Sequence, residues 1–201
     1  MLPPRLLVVS IGNQAPYYNC LHSAGHWALV GAQKASAEVQ PPFTLEKYVP
    51  RWKRCMVSAA PPFTFIQSPT MMNDCGHFVL AAYRATLEKQ GITPKELALI
   101  LVHDELQDEL GHARTREWDT SPRGHNGIKS VKNALLSHQS HGYPLEYWAR
   151  VSVGIGRPVA RTADVVIQHV LRNMTPAEKR TIETQGGPSV LEHLQRRLAG
   201  P

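Results

Sequence analysis

The chain has 201 residues, of which 42% are hydrophobic and 19% charged. This composition suits one globular domain and argues against intrinsic disorder, collagen and coiled coil. No run of about 18 apolar residues occurs, which excludes a transmembrane helix. The net charge of +6 comes from 22 Lys and Arg against 16 Asp and Glu. It is compatible with a polyanionic partner but does not require one.

The cysteines and the N-terminal segment bear on location. Cys20, Cys55 and Cys75 are odd in number and lack the Cys-x-x-Cys spacing of a zinc knuckle, which indicates a reducing compartment. Residues 1–11 show neither a secretory cleavage site nor an amphipathic segment rich in Arg and Ser. We therefore expect an intracellular protein, with cytosol and mitochondrial matrix both open.

Short apolar runs alternate with segments of helical periodicity along the chain. The runs predict strands at 6–11, 63–66, 98–102 and 151–155. The periodic segments predict helices at 23–35, 75–89, 128–138 and 162–171. This alternation is typical of an α/β domain with a largely parallel sheet, and we expect residues 1–201 to form a single domain.

Local signals predict further helix starts and one irregular region. Residues 93–96 and 175–178 each place a threonine, a proline and a glutamate in the order of a capping box. Residues 189–192 form a third box after the glycine- and proline-containing breaker at 186–188. We expect C-terminal helices within 175–199, whereas the proline-rich stretch 40–62 is predicted to be an irregular insertion.

Polar side chains follow the predicted strands, where parallel sheets bind their ligands. Asn13 and His22 follow the first strand, Asn73 follows the second, Asp104 follows the third, and Asn126 precedes the third helix. No G-x-S-x-G nucleophile elbow occurs. This set indicates hydrolysis by an activated water. His22 would be the general base, Asp104 would hold its other ring nitrogen, and the amides would bind carbonyls and the developing oxyanion.

Each of these residues also has an ordinary structural interpretation. His22 could be a surface histidine, and Asp104 could cap a turn. Asn73 together with Asp74 could cap the second helix, and Asn126 beside a glycine is a favourable turn residue. Their joint placement at one edge of the sheet favours the functional interpretation.

Six short motifs follow one another in a fixed order. They are G-N at 12–13, H-S-A-G at 22–25, P-T-M-M-N at 69–73, V-H-D-E-L at 102–106, G-H-N-G-I-K at 124–129 and V-G-I-G-R-P at 153–158. In order and spacing the chain resembles bacterial-type peptidyl-tRNA hydrolase, most strongly over 6–171. The resemblance implies a three-layer α/β/α monomer with a twisted mixed, largely parallel sheet. It also implies cleavage of the ester between peptide and tRNA without metal or cofactor, and without a membrane.

The resemblance assigns roles by motif position. The family's catalytic histidine and its supporting aspartate fall on His22 and Asp104. Its substrate- or water-orienting asparagines fall on Asn13, Asn73 and Asn126. We group Asn126 with the catalytic pair, and we expect His125 to join the other two asparagines in binding substrate.

Basic residues are candidates for contacts with tRNA phosphates. Arg114 and Arg116 alternate along the chain and so share one face of a strand. The family places two basic residues at these positions, where they hold the terminal phosphate of tRNA. Lys129 and Arg150 are further candidates, and a solvated surface is the alternative interpretation of Arg150.

Three departures from the family pattern bear on substrate fit and rate. Gln14, Ser23 and Ser152 stand where the family usually has proline, asparagine and arginine. They indicate a diverged, eukaryote-like member. Two other functions stay open: a non-catalytic RNA-binding module of the intron-splicing type on the same scaffold, and hydrolysis of a different ester or amide. Deacylation of an N-blocked aminoacyl-tRNA distinguishes the enzyme from the RNA-binding module, whereas a hydrolase of other esters would cleave a small ester without needing the tRNA.

Overall fold

A seven-stranded sheet forms the centre of the computed structural model, which describes residues 3–137, 142–160 and 162–200. The strands are β1 (Arg5–Ser10), β2 (Thr44–Glu46), β3 (Cys55–Ala60), β4 (Phe63–Gln67), β5 (Leu97–Glu105), β6 (Ala113–Glu117) and β7 (Ala149–Gly154). Their order is β2-β3-β4-β1-β5-β7-β6. Strands β4, β1, β5 and β7 run parallel, whereas the other pairings are antiparallel. The sheet is therefore mixed with a parallel centre, as predicted.

Helices cover both faces of this sheet. They are α1 (Ala24–Ala35), α2 (Cys75–Gln90), α3 (Asn126–Ser137), α4 (Ala163–Leu171), α5 (Pro176–Thr181) and α6 (Gly187–Ala199). Helices α2 and α3 bury one face, and α1 and α6 bury the other. The expected three-layer α/β/α architecture is thus confirmed. Within the described residues, no helix is long and apolar enough to cross a membrane.

The central strands are apolar along their whole length because both of their faces are covered. In β1, Leu7 and Val9 pack toward α2 and α3, whereas Leu6 and Val8 pack toward α1 and α6. The four strands predicted from apolar runs are confirmed, with ends that shift by up to three residues. The helix predicted at 128–138 begins two residues earlier, at Asn126, and His138 lies outside the described residues.

Two predictions about the middle of the chain need correction. The stretch 40–62 is irregular only in part, since it contains β2 and β3, which pair antiparallel and extend the sheet beyond β4. The box at 93–96 forms, but it closes only the short 3₁₀ turn Pro94–Glu96. The buried apolar run of β5 follows at once, so burial in the sheet overrides the local preference for a longer helix.

The predicted helix break at 186–188 is also wrong. The capping box at the start of α5 does form, since Thr175 N donates to the Glu178 carboxylate at 2.8 Å and Glu178 N donates to Thr175 Oγ1 at 3.2 Å. Helix α5 then continues through the π-helical segment Ile182–Gly186 into α6. Ser189 therefore lies inside α6 instead of capping a new helix.

Candidate active site

His22 and Asp104 meet at the carboxyl ends of two adjacent parallel strands. Asp104 lies near the end of β5, and His22 lies in the 3₁₀ turn Leu21–Ser23 that leads directly into α1. A Cβ atom on Gly25 would lie 2.7 Å from the Val102 carbonyl oxygen, so only glycine lets α1 begin this close to β5. His22 Nδ1 consequently lies 2.8 Å from Asp104 Oδ1. Because a carboxylate accepts, Nδ1–H donates, and Nε2 is the basic nitrogen.

A second histidine binds the same carboxylate oxygen. His125 Nε2 lies 3.0 Å from Asp104 Oδ1, and His125 Nδ1 accepts from the main-chain N–H of Ile128 at 3.4 Å. Both ring nitrogens of His125 are therefore engaged inside the protein. Spacing along the chain gave no signal for this contact, which depends on how the start of α3 is placed beside β5.

The charges of this cluster shift its pKa values in a definite direction. Burial raises the pKa of Asp104, but the opposite charges and hydrogen bonds of His22 and His125 outweigh it and hold the pKa far below its usual range. Burial lowers the pKa of His22, but the charge and hydrogen bond of Asp104 outweigh it, so the pKa is raised. Asp104 is accordingly ionised whenever His22 titrates.

The three predicted asparagines and His22 line one cavity of about 370 Å³. Asn13 is buried at its base, where its Oδ1 accepts from Met72 N at 2.9 Å and its main-chain N donates to Ser23 Oγ at 2.9 Å. Asn73 and Asn126 are exposed on its walls. Neither Asn73 nor Asp74 makes a side-chain cap at the start of α2, so the capping interpretation of Asn73 is not supported.

The predicted basic residues occupy unlike environments. Arg114 and Arg116 share a face of β6, since Arg114 Nε lies 3.2 Å from one Asp108 carboxylate oxygen and Arg116 Nη2 lies 3.0 Å from the other. The Arg114 side chain is 55% exposed, and Lys129 is exposed on α3. Arg150 is 2% exposed and donates from Nη2 to the Thr120 carbonyl at 2.9 Å. The solvated-surface interpretation of Arg150 is therefore wrong.

Among the described residues, one group has ligand atoms close enough together to hold a metal ion. It consists of His22, Asp104 and His125, whose ligand atoms all lie within 4.8 Å of one another. The two imidazoles meet one carboxylate oxygen at 2.8 and 3.0 Å, which is hydrogen-bond distance. The grouping is thus accounted for by hydrogen bonds. His26 follows His22 by four residues in the sequence, but it does not belong to this group of ligand atoms. Its Nδ1 contacts Ser10 Oγ at 2.8 Å.

A mixed α/β sheet that carries a histidine–aspartate pair beside an amide-lined cavity defines a class of hydrolytic site that acts through water. Comparison with known proteins supports this assignment to a hydrolytic class. The family model described as peptidyl-tRNA hydrolase matches residues 7–198. The chain belongs to the peptidyl-tRNA hydrolase family, which confirms the resemblance drawn from its motifs.

Individual relatives and solved structures give the same result. A peptidyl-tRNA hydrolase of Akkermansia muciniphila is 29% identical over 185 residues, which cover 92% of this chain and 85% of that protein. A probable peptidyl-tRNA hydrolase of Schizosaccharomyces pombe is 32% identical over 121 residues. That match covers 60% of this chain and only 54% of the relative. The crystal structure of peptidyl-tRNA hydrolase from Acinetobacter baumannii superposes with a TM-score of 0.61 at 19% identity, covering 91% of this chain and 83% of that one, and shows the shared fold.

Proposed function

We propose that this protein hydrolyses the ester that joins a peptide to tRNA, using a water molecule activated by His22. One observation carries the proposal. Asp104 holds His22 through Nδ1 at 2.8 Å, while His22 itself lines a cavity together with Asn13, Asn73 and Asn126. A base with a fixed tautomer therefore lies beside amides that can bind an ester and its peptide.

In this mechanism His22 Nε2 takes a proton from the water, and the water oxygen attacks the ester carbonyl carbon. Asp104 stabilises the imidazolium and stays ionised. The amide of Asn126 donates to the oxyanion that develops. When the tetrahedral intermediate collapses, the C–O bond to the ribose breaks and the His22 proton passes to the leaving ribose oxygen. The tRNA leaves with a free hydroxyl, and the peptide leaves as a carboxylic acid that loses its proton to solvent.

We assign supporting roles to the residues around this pair. Asn13 and Asn73 bind carbonyl groups of the peptide. His125 acts as a positioning residue, because it holds the Asp104 oxygen that orients His22. Arg114 and Lys129, both exposed, hold phosphates of the tRNA. Arg116 and Arg150 are less exposed and add positive charge beneath this surface.

Deacylation of an N-acetyl-aminoacyl-tRNA by the purified protein tests the proposal. We expect release of the N-acetyl amino acid, together with much slower cleavage of a small N-acetyl amino acid ester that lacks tRNA. Binding of tRNA without deacylation would instead establish the RNA-binding module. Equal rates on both substrates would establish a general ester hydrolase.

We further propose that the protein acts as a monomer of one domain spanning 1–201. All the proposed catalytic residues come from segments around one sheet, so no second copy is needed to complete the site. Light scattering during gel filtration should give a mass near 22.4 kDa. A dimer that dissociates with loss of activity would contradict this assignment.

A further inference from the structure

Asp108 is a buried carboxylate in the turn between β5 and β6, and it is 6% exposed. The turn lies directly against the end of β7. Gly156 N donates to the Asp108 carbonyl at 3.1 Å. A Cβ atom on Gly154 would lie 2.7 Å from the same carbonyl oxygen, so only glycine lets the turn approach β7 this closely. Backbone contacts therefore fix the position of the Asp108 carboxylate.

Each oxygen of this carboxylate contacts an arginine of β6. Oδ1 lies 3.2 Å from Arg114 Nε, and Oδ2 lies 3.0 Å from Arg116 Nη2. Ser152 Oγ, on β7, also lies 3.5 Å from Oδ2. Guanidinium groups bind carboxylates and phosphates through the same N–H donors. Asp108 is therefore an internal anion at a place where two arginines could instead converge on a phosphate.

The charges of this group nearly balance, although the group lies where a polyanion is expected to bind. The side chain of Arg114 is 55% exposed and that of Arg116 is 19% exposed. Glu105 adds a second carboxylate, 3.9 Å from Arg116 Nη2. Buried charges are screened much less by salt than exposed ones. A phosphate that reaches Arg114 thus approaches the weakly screened negative charge of Asp108.

Asp108 could also assist binding by orienting the two guanidinium groups. An ion pair with a side chain as exposed as Arg114 orients it only weakly, because such pairs contribute little. The repulsion between the Asp108 carboxylate and a phosphate does not depend on that orientation. The balance of these two effects favours repulsion.

We infer that Asp108 competes with tRNA phosphates for Arg114 and Arg116, and thereby limits the affinity of the protein for tRNA. The inference rests on the proposed function, in which Arg114 holds a phosphate of the tRNA. The substrate and the deacylated product carry the same phosphates. A limited affinity therefore lets the product leave after the ester has been cleaved.

The variant Asp108→Asn tests the inference, because asparagine has the shape of aspartate and keeps one acceptor oxygen but carries no charge. We expect it to bind deacylated tRNA about tenfold more tightly than the wild type at low salt, which is within reach of one charge–charge interaction near a protein surface. Asp108→Ser, which also removes the charge, should tighten binding as well. Glu88→Gln removes an exposed carboxylate on α2 and should leave the affinity close to that of the wild type.

A gain in affinity distinguishes competition from a structural role, because a loss of folded protein weakens binding. Wild-type affinity in both Asp108 variants overturns the inference. Weaker binding by both also overturns it, since Asp108 would then support the arginines. An equal gain in Glu88→Gln would mean that net charge alone sets the affinity, which would equally contradict competition at Arg114.

A double-mutant cycle tests whether Asp108 acts through Arg114. In an Arg114→Ala background, the gain from Asp108→Asn should shrink, because the arginine that it releases is gone. An undiminished gain in that background would contradict the inference. The gain should also shrink as the salt concentration rises from about 50 to 300 mM, since ions screen the exposed guanidinium and the phosphate.

Deacylation of an N-acetyl-aminoacyl-tRNA separates this inference from the proposed function. Tighter binding of tRNA by Asp108→Asn, without deacylation by any form of the protein, would contradict the function alone. Deacylation by the wild type, without tighter binding by Asp108→Asn, would contradict the role of Asp108 alone.

Discussion

His22 and His125 share one oxygen of Asp104, and this sharing organises the chemistry at the residue scale. An ionised, buried carboxylate needs compensating donors, and the two imidazole N–H groups supply them. Each histidine is thereby fixed in one tautomer. The arrangement gives His22 a free basic nitrogen, whereas His125 has none.

Replacing His22 by alanine should lower the deacylation rate by about 10²–10⁴-fold, the contribution typical of a positioned base. The tRNA affinity and the thermal unfolding of the variant should stay close to those of the wild type. His77→Ala, an exposed histidine on α2, serves as the control and should retain full activity. Wild-type turnover by His22→Ala in a single-turnover assay would rule out the base.

The raised pKa of His22 predicts the pH dependence of the reaction. The protonated imidazole cannot act as a base, so kcat/KM should fall as the pH drops through the pKa of His22. The midpoint should lie above the usual histidine value of about 6.5 because Asp104 raises the pKa. In the Asp104→Asn variant only the effect of burial on the His22 pKa remains, and burial lowers that pKa. The midpoint should therefore move down, and the maximal rate should fall. A midpoint at or below 6.5 in the wild type, measured from pH 5 to 8, would contradict this account.

Asn126 lies at the first position of α3, so its catalytic and structural roles need separating. Aspartate is a favourable residue at a helix start, but its carboxylate repels an oxyanion. Asn126→Asp should therefore lose about 10²–10³-fold in kcat while unfolding at the wild-type temperature. Asn133→Asp, exposed on the same helix, is the matched control. Full activity of Asn126→Asp would exclude the oxyanion role.

The pairing of His22 with Asp104 could be predicted because both follow strands of a parallel sheet, and such ends meet at one edge. The contact between His125 and Asp104 could not. It depends on the angle at which α3 begins, which no periodicity or motif spacing encodes. The buried state of Arg150 was missed for a similar reason, since its partners are the main-chain carbonyls of Glu117, the last residue of β6, and of Thr120 beyond it.

At the scale of elements, α6 depends on an unusually close contact with α1. A Cβ atom on Gly187 would lie 2.4 Å from the Cα and carbonyl carbon of Gly31, so these helices approach at backbone distance. A Cβ on the neighbouring Gly186 would meet nothing nearer than 3.4 Å. Two adjacent glycines of one continuous helical segment thus have opposite packing environments.

Gly187→Ala should destabilise the protein by about 1–3 kcal/mol through overpacking. That loss corresponds to about 2–4 °C in Tm per kcal/mol for a chain of this size. Gly186→Ala should instead be neutral or stabilising, because alanine is favoured over glycine in a helix by about 0.5–1 kcal/mol. Thermal unfolding followed by circular dichroism checks the pair. Equal Tm shifts in the two variants would contradict the close helix contact.

The sequence predicts the buried elements well and the edge of the sheet poorly. Central strands such as β1 and β5 are continuous apolar runs, which is the pattern that burial on both faces requires. Strand β2 has three exposed residues, so it lacks both an apolar run and an alternation. The capping box at 93–96 is a local signal that fits a single turn as well as a helix, and only the tertiary context decides between them.

At the scale of the whole molecule, several arginines lie on the two strands at one edge of the sheet, Arg114 and Arg116 on β6 and Arg150 on β7. Arg114 lies on the edge strand β6 and is half exposed, whereas Arg150, on the neighbouring strand β7, is buried. This placement suits a substrate whose phosphate backbone runs across the edge strand.

Arg114→Ala should weaken binding of peptidyl-tRNA through the loss of one phosphate contact. The slope of log affinity against log salt concentration should flatten by about 0.7–0.9, the change expected for one phosphate. Cleavage of a small N-acetyl amino acid ester that lacks tRNA should stay unchanged, because Arg114 does not line the cavity formed by His22 and the asparagines. Arg180→Ala, on α5, should keep the wild-type slope and serves as the control. A filter-binding series from about 50 to 300 mM salt, over which the Debye length shortens as the ionic strength rises, resolves this difference. Parallel lines for Arg114→Ala and the wild type would show that Arg114 contacts only Asp108, and the phosphate contact would then have to come from another basic residue such as Lys129.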